Sequence, residues 1–145
     1  MSKNSDKSFY FLILGFFIKS GKKYKAKRLI DNTFEILQKK TNKPLSVLIE
    51  IFFHRLRTVV EVKKRVTRKQ THFVPCVISP KRRIYIILKW LKQAIKEDKS
   101  RLPLEYKLSS EILKVILKEP CYCLKACEEN KKLASSNRSN IYFRW

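Results

Sequence analysis

Residues 58–79 read TVVEVKKRVTRKQTHFVPCVIS, and here the hydrophobic period changes from three and four to two. Val60, Val62 and Val66 share one parity and Glu61, Lys63 and Arg65 the other, while THFVPCVIS is rich in aromatic and β-branched residues. The pattern predicts the two strands of a hairpin, about residues 59–78. Pro75 cannot donate to a ladder and is expected on an edge or at a bulge. The tip, TRKQ, is basic and contains no glycine. A two-stranded ribbon is barely stable alone in water, so this basic hairpin is expected to project from the rest of the chain and to be ordered by a partner.

On both sides of it the periodicity is helical. Ala26, Leu29, Ile30, Thr33, Phe34 and Leu37 repeat at three and four, the stripe of a helix lying on a core. Ser20 and Gly21 before it read as a helix stop, with glycine where a left-handed backbone is needed. Asn42 followed by Pro44 reads as a cap and first turn, opening a third helix through Leu45, Leu48, Ile49, Phe52 and Leu56. After Pro80, a fourth helix buries Ile84, Ile87, Leu88, Leu91, Ala94 and Ile95 and turns Lys89, Lys92 and Lys96 outward, with Trp90 partly in the core. RLP at 101–103 breaks the chain; Leu108, Ile112, Val115 and Ile116 make a fifth helix, and Pro120 starts a sixth that fades into SSNRSN. The expected fold is mainly α, a bundle of about six helices with a basic β-hairpin protruding between the third and fourth. The 145 residues are expected to form one domain with a C-terminal tail over about 136–145.

The first helix is the puzzle. FYFLILGFFI, residues 9–18, is almost unbroken apolar sequence in a basic chain. Crossing a bilayer takes about 20 apolar residues, and this run is closed by Lys19 and preceded by Asp6 and Lys7. IKSGKKYKAKR, following it, is unlike the region past a signal cleavage site. The stretch is therefore expected to be a helix almost fully covered by a core, the rival being an anchor lying in a membrane surface through Phe11, Leu12 and Phe16.

Charge points to the partner. Lys and Arg number 34 against 12 Asp and Glu, a net charge of +22, yet 44% of the residues are hydrophobic, which sets the chain apart from disordered polycations. Self-repulsion of this size weakens a compact state unless a polyanion neutralises it. The bases are segregated as well, for no acid occurs between Asp6 and Asp31 or between Glu61 and Glu97. Tyr24, Phe73, Tyr142, Phe143 and Trp145, interleaved with bases, suit phosphate contact combined with stacking on unpaired RNA bases, although a DNA-binding helix-turn-helix would also be basic and helical.

Catalytic and metal chemistry find little to stand on. Cys121, Cys123 and Cys127 form C-x-C-x3-C without a fourth ligand at zinc spacing, and Cys76, His54 and His72 bear no relation to them; buried, reduced thiols are expected. Gly15 to GKK has the wrong spacing for a phosphate loop, and Glu128 and Glu129 face different ways on a helix. Neither an enzyme nor a cofactor is expected.

Four stretches in order, SGKKYKAKRLIDNTFEIL, VEVKKRVTRKQTHFVP, ISPKRRIYIILKWL and NRSNIYFRW, resemble the signatures of the universal small-subunit ribosomal protein number seven family, bacterial and organellar type. The resemblance implies a structural protein bound directly to the 3′ major domain of small-subunit rRNA, helping to nucleate assembly of the subunit head. It implies a place near the exit-tRNA site and the mRNA exit channel, beside other head proteins and platform protein number eleven, with no membrane contact. The rRNA contacts carried over by motif include Lys22 and Lys23, Lys63, Lys64 and Arg65 on the hairpin, and Arg82 and Arg83, while Arg138, Arg144 and Trp145 match the family's C-terminal end; Lys25, Arg68, Lys69 and Lys81, basic residues of the same stretches, are expected to join them. Two departures stand out. Arg68 and Lys69 occupy a tip where bacterial members usually carry two glycines, and the family's basic arm before the first helix is longer than MSKNSDK. Lys exceeds Arg 24 to 10 and no transit peptide is recognisable, usage that points to an organelle-encoded chain, mitochondrial in the first place, with a plastid or an AT-rich bacterium as alternatives.

Overall fold

The computed structural model describes residues 3–68 and 70–143. Six α-helices run in order: α1 (Lys3–Phe17), α2 (Lys23–Thr41), α3 (Leu45–Arg55), α4 (Pro80–Glu97), α5 (Leu104–Leu117) and α6 (Tyr122–Ser136). An antiparallel hairpin of β1 (Val60–Thr67) and β2 (Gln70–Val77) stands between α3 and α4, and a 3-10 turn over Arg138–Phe143 follows α6. The mainly helical bundle with an inserted hairpin is thus as expected.

The stripes read from the sequence meet in one cluster. Ile30 and Leu37 of α2, Leu48 and Phe52 of α3, Ile87 and Leu91 of α4, and Leu108 and Val115 of α5 are all buried in it. Each such side chain contributes roughly 2 kcal/mol of burial free energy. On α6, Cys121, Cys123 and Cys127 complete the cluster as small apolar groups, unbridged, and burial pushes the Cys123 thiol pKa well up, so it stays protonated. Among the described residues no group of three or more His, Cys, Asp or Glu could hold a metal ion.

Three boundaries differ from expectation. Asn42 does not open α3; it closes α2, in the left-handed conformation (φ 51°), donating its N–H to the Gln38 carbonyl, which leaves Pro44 to precede α3. Asparagine tolerates that conformation better than most residues, so the same residue type fits either role. Pro120 lies just before α6, whose N-cap is Cys121, and SSNRSN does not fade out: the helix ends at Ser136 and the chain tightens into the 3-10 turn. Gly21 takes φ 71° at the corner after α1, as predicted, with Ser20 beside it at φ 51°.

α1 departs further. Ile13 and Leu14 are buried, but Phe11 is 63% exposed and Leu12 46%. The helix is covered along one side only. No helix among the described residues is long and apolar enough to cross a membrane.

Candidate nucleic-acid interface

The hairpin's alternation is resolved by its register. Glu61 pairs with Cys76, Lys63 with Val74 and Arg65 with His72 on one face; Val60, Val62 and Val66 lie on the other with Val77, Pro75 and Thr71. The first face packs on the protein through Glu61, Val74 and His72, while its Lys63 and Arg65 stay exposed; on the second face Pro75 is buried as well. Val74 is fully buried, His72 stacks on Phe143 of the 3-10 turn with ring centroids 4.2 Å apart, and Glu61 is clamped by α4. The Val66 and Val77 side chains stay open to solvent, at 69% and 68% exposure. Pro75 is accommodated by parity: the Ile78 N–H donates to the Val59 carbonyl, so alternation puts the Val62/Pro75 rung among the non-hydrogen-bonded pairs, where no proline N–H is missed.

Polar bonds root the hairpin. Asn130 of α6 donates from Nδ2 to the Val60 carbonyl at 2.7 Å and to Thr58 Oγ1 at 3.2 Å, and Thr58 is itself buried. Asn140 Nδ2 donates to the Phe73 carbonyl at 3.3 Å, tying the C-terminal turn to β2.

α4 begins at the hairpin's base. Ser79 caps it, its Oγ accepting from the Arg82 N–H at 3.4 Å, and Pro80 occupies the first turn. Arg82 then donates from Nε (3.1 Å) and Nη2 (2.7 Å) to the two carboxylate oxygens of Glu61. That bidentate hydrogen bond holds the Glu61 carboxyl below its ordinary pKa and raises that of Arg82. Arg82 also lies over the Tyr85 ring, 5.1 Å from its centroid. Its half-buried neighbour Arg83 has a covered Nε–H with no acceptor, an uncompensated cost.

α1 comes to α4 from the other side. Phe16 meets Tyr85 edge to face at 5.5 Å, and Lys92 lies over the Phe16 ring at 5.0 Å with its Nζ 3.5 Å from the Phe16 carbonyl. Between the helices runs a groove of about 310 Å³ lined by Phe11, Gly15, Phe16, Lys81 and Tyr85 among others. At the foot of α1, Tyr10 donates to Asp31 Oδ1 of α2 at 2.7 Å, and burial together with that bond pushes the phenol pKa up to about 12.

Residues 10–138 match the family described as ribosomal protein S7p/S5e. The chain belongs to that family. Among its relatives, the small ribosomal subunit protein uS7 of Caldicellulosiruptor saccharolyticus is 31% identical over 126 residues, covering 86% of this chain and 79% of the relative. That of Metamycoplasma arthritidis is 32% identical over 127 residues, and that of Bordetella pertussis 28% over 125, each with the same shares of the two chains covered.

In this S7p/S5e chain, Lys63, Lys64, Arg65 and Arg68 are exposed on the hairpin, and Lys81 and Arg82 are exposed at its base. Lys22, Lys23 and Lys25 are exposed at the α1–α2 corner, and Arg138 on the turn that packs against β2. Lys69, Arg144 and Trp145 lie outside the described residues. The Glu61–Arg82 clamp and the Phe16–Tyr85 contact were not foreseen. Two signals were present: Glu61 is the last acid before a 35-residue block without one, and Tyr85 is an apolar-side residue off the α4 stripe. Tyr24 (79% exposed) and Tyr142 (88%) remain open for stacking as the sequence reading had them, whereas Phe143 is engaged by His72.

Proposed function

We propose that this chain is a structural component of the small ribosomal subunit and binds rRNA directly, in the 3′ major domain, to help build the subunit head. The observation that carries the reading is family membership over residues 10–138, in a chain whose hairpin, α4 start and α1–α2 corner all present exposed bases. Bases in such numbers neutralise phosphates, release counterions and fix the protein in register with little base readout. Lys22, Lys23, Lys25, Lys63, Lys64, Arg65, Arg68, Lys81 and Arg138 would contact phosphates directly, and Lys69, Arg144 and Trp145 would be further rRNA contacts. Arg82 would offer the edge left free by Glu61, and Arg83 would gain an anionic acceptor for its unpaired Nε–H. The projecting hairpin and the docked C-terminal turn would face the exit-tRNA site, the mRNA exit channel and platform protein number eleven. The role is one of scaffolding, without catalysis, and lysine-rich usage favours a mitochondrial ribosome.

The test is binding of the purified chain to a 3′ major domain rRNA fragment and to duplex DNA of equal charge across a salt series. Preference for the rRNA that persists at high salt is expected. Equal and equally steep salt dependence for both ligands would reduce the chain to a generic polycation.

A further inference from the structure

We propose that the groove between α1 and the start of α4 is a slot for one unpaired rRNA base, with Gly15 as its floor and Phe11, Phe16 and Tyr85 as its walls. The inference rests on the rRNA reading above and adds to it a ligand class and a place.

Gly15 is the starting observation. It sits inside α1, where glycine disfavours the helix, and its φ is not in the left-handed region. A Cβ built there would meet no atom within 4 Å, so no packing inside the chain calls for a glycine. What the glycine provides is bare backbone on the floor of the groove, useful to something that approaches closely from outside. The walls have the matching chemistry. Phe11 and Tyr85 are 63% and 47% exposed, far more than their apolar neighbours Ile13 and Ile87, and present aromatic surface. The charged side chains placed at the groove and over its rings are, among the described residues, basic: Lys81 lines the groove, Arg82 lies over Tyr85 and Lys92 over Phe16, with Glu61 bound to Arg82. A planar base with phosphates on either side is complementary to an aromatic slot under a cationic rim. The chain's larger groove, about 770 Å³ between α3 and α6, lacks this complementarity because Glu50 and Glu128 alternate there with Arg55 and Lys118.

The experiment uses the full chain, the 3′ major domain rRNA fragment, and the variants Gly15→Ala and Tyr85→Leu. Gly15→Ala should raise Tm, since alanine favours the helix and meets free space, and yet weaken rRNA binding about tenfold. A purely structural glycine would not give opposite signs. Tyr85→Leu should weaken binding by a similar factor with an unchanged salt slope, because no phosphate contact is lost. If both variants bind the rRNA like the wild type, or if Gly15→Ala lowers Tm, the slot is refuted while the rRNA reading stands. Loss of binding to phosphatidylcholine vesicles containing phosphatidylserine, with rRNA binding intact, would assign the groove to a membrane surface instead. A wild-type chain that prefers rRNA no more than duplex DNA overturns the underlying reading, and the slot with it.

Discussion

The helical body buries its apolar stripes against itself, leaving Leu91 and Val115 at 1% and 0% exposure, whereas the hairpin holds Val66 and Val77 out in solvent, exposes Lys63 and Arg65, and turns the Glu61 carboxylate toward the protein. The difference is one of what each region has to be complete. In the body every stripe finds another stripe, and its stability is internal. The hairpin is anchored at its root by Asn130, Thr58, Val74 and the Glu61–Arg82 clamp, but Lys64, Arg65, Val66 and Arg68 beyond that root are exposed, and the bases among them repel one another. A ribbon of that composition is built for an external surface of opposite charge.

Two substitutions would break this contrast if it were wrong. Leu91→Ala should cost about 2–5 kcal/mol in urea unfolding, because it opens a cavity where α4 meets the core, while Val66→Ala should change stability by no more than about 0.5 kcal/mol. Similar losses at the two positions would mean that the hairpin is as much a part of the cooperative unit as α4. Next in size is the combined change of Lys63, Lys64 and Arg65 to alanine. Stability should hold or rise slightly as repulsion falls, and the slope of log affinity for rRNA against log salt should flatten by about 1 per residue. An unchanged slope would take the hairpin out of the phosphate contacts.

The same contrast explains what the sequence could reveal. Period and composition were enough for the six helices, because a stripe such as Ala26, Ile30, Phe34 and Leu37 has only one way to be satisfied. Alternation was enough for the strands but silent on which face packs, since burial of the Glu61 face depends on Arg82, 21 residues on, and on Phe143 of the last turn. Asn42 was assigned to the wrong helix because the residue suits both ends. At α1, ten apolar residues in a row carry no period, so nothing local distinguished the buried Ile13 and Leu14 from the exposed Phe11 and Leu12. The basic residues of the candidate interface were legible one by one; their grouping around the first turn of α4 is tertiary.

The clamp at the hairpin's root sharpens the comparison through pH. Hydrogen bonding from Arg82 lowers the Glu61 pKa in the folded chain, so the stabilisation is fully present above the ordinary carboxylate value and is lost as pH falls through the depressed one. Glu61→Gln should therefore cost no more than about 1 kcal/mol at neutral pH, given that the Arg82 side chain is half exposed and screened by solvent. The gap between variant and wild type should begin to narrow in unfolding curves as pH falls below the ordinary carboxylate value of about 4.3, and close once the depressed pKa is passed. A gap that persists in acid would locate the effect in packing and not in the ion pair.

The smallest effect is expected at the tip. Arg68 takes φ 53°, a left-handed conformation that costs a residue with a Cβ about 1–2 kcal/mol, and Thr67 pairs with Gln70 across the reversal. Arg68→Gly removes that strain but adds freedom to the unfolded chain, which takes back about 0.5–1 kcal/mol, leaving a net gain of about 0.5 kcal/mol. With the hairpin opening separately from the core, as the contrast between the two regions predicts, the gain should appear as slower hydrogen exchange at hairpin amides such as His72, with Leu91 unchanged. If protection at Leu91 rose in step, opening of the tip would be the same event as opening of the body, and the exposed valines would have to be explained within one cooperative fold. The same variant removes a base from the tip, so a chain that is more ordered in isolation and yet weaker on rRNA would show that Arg68 is retained there for its charge, at the expense of a relaxed turn.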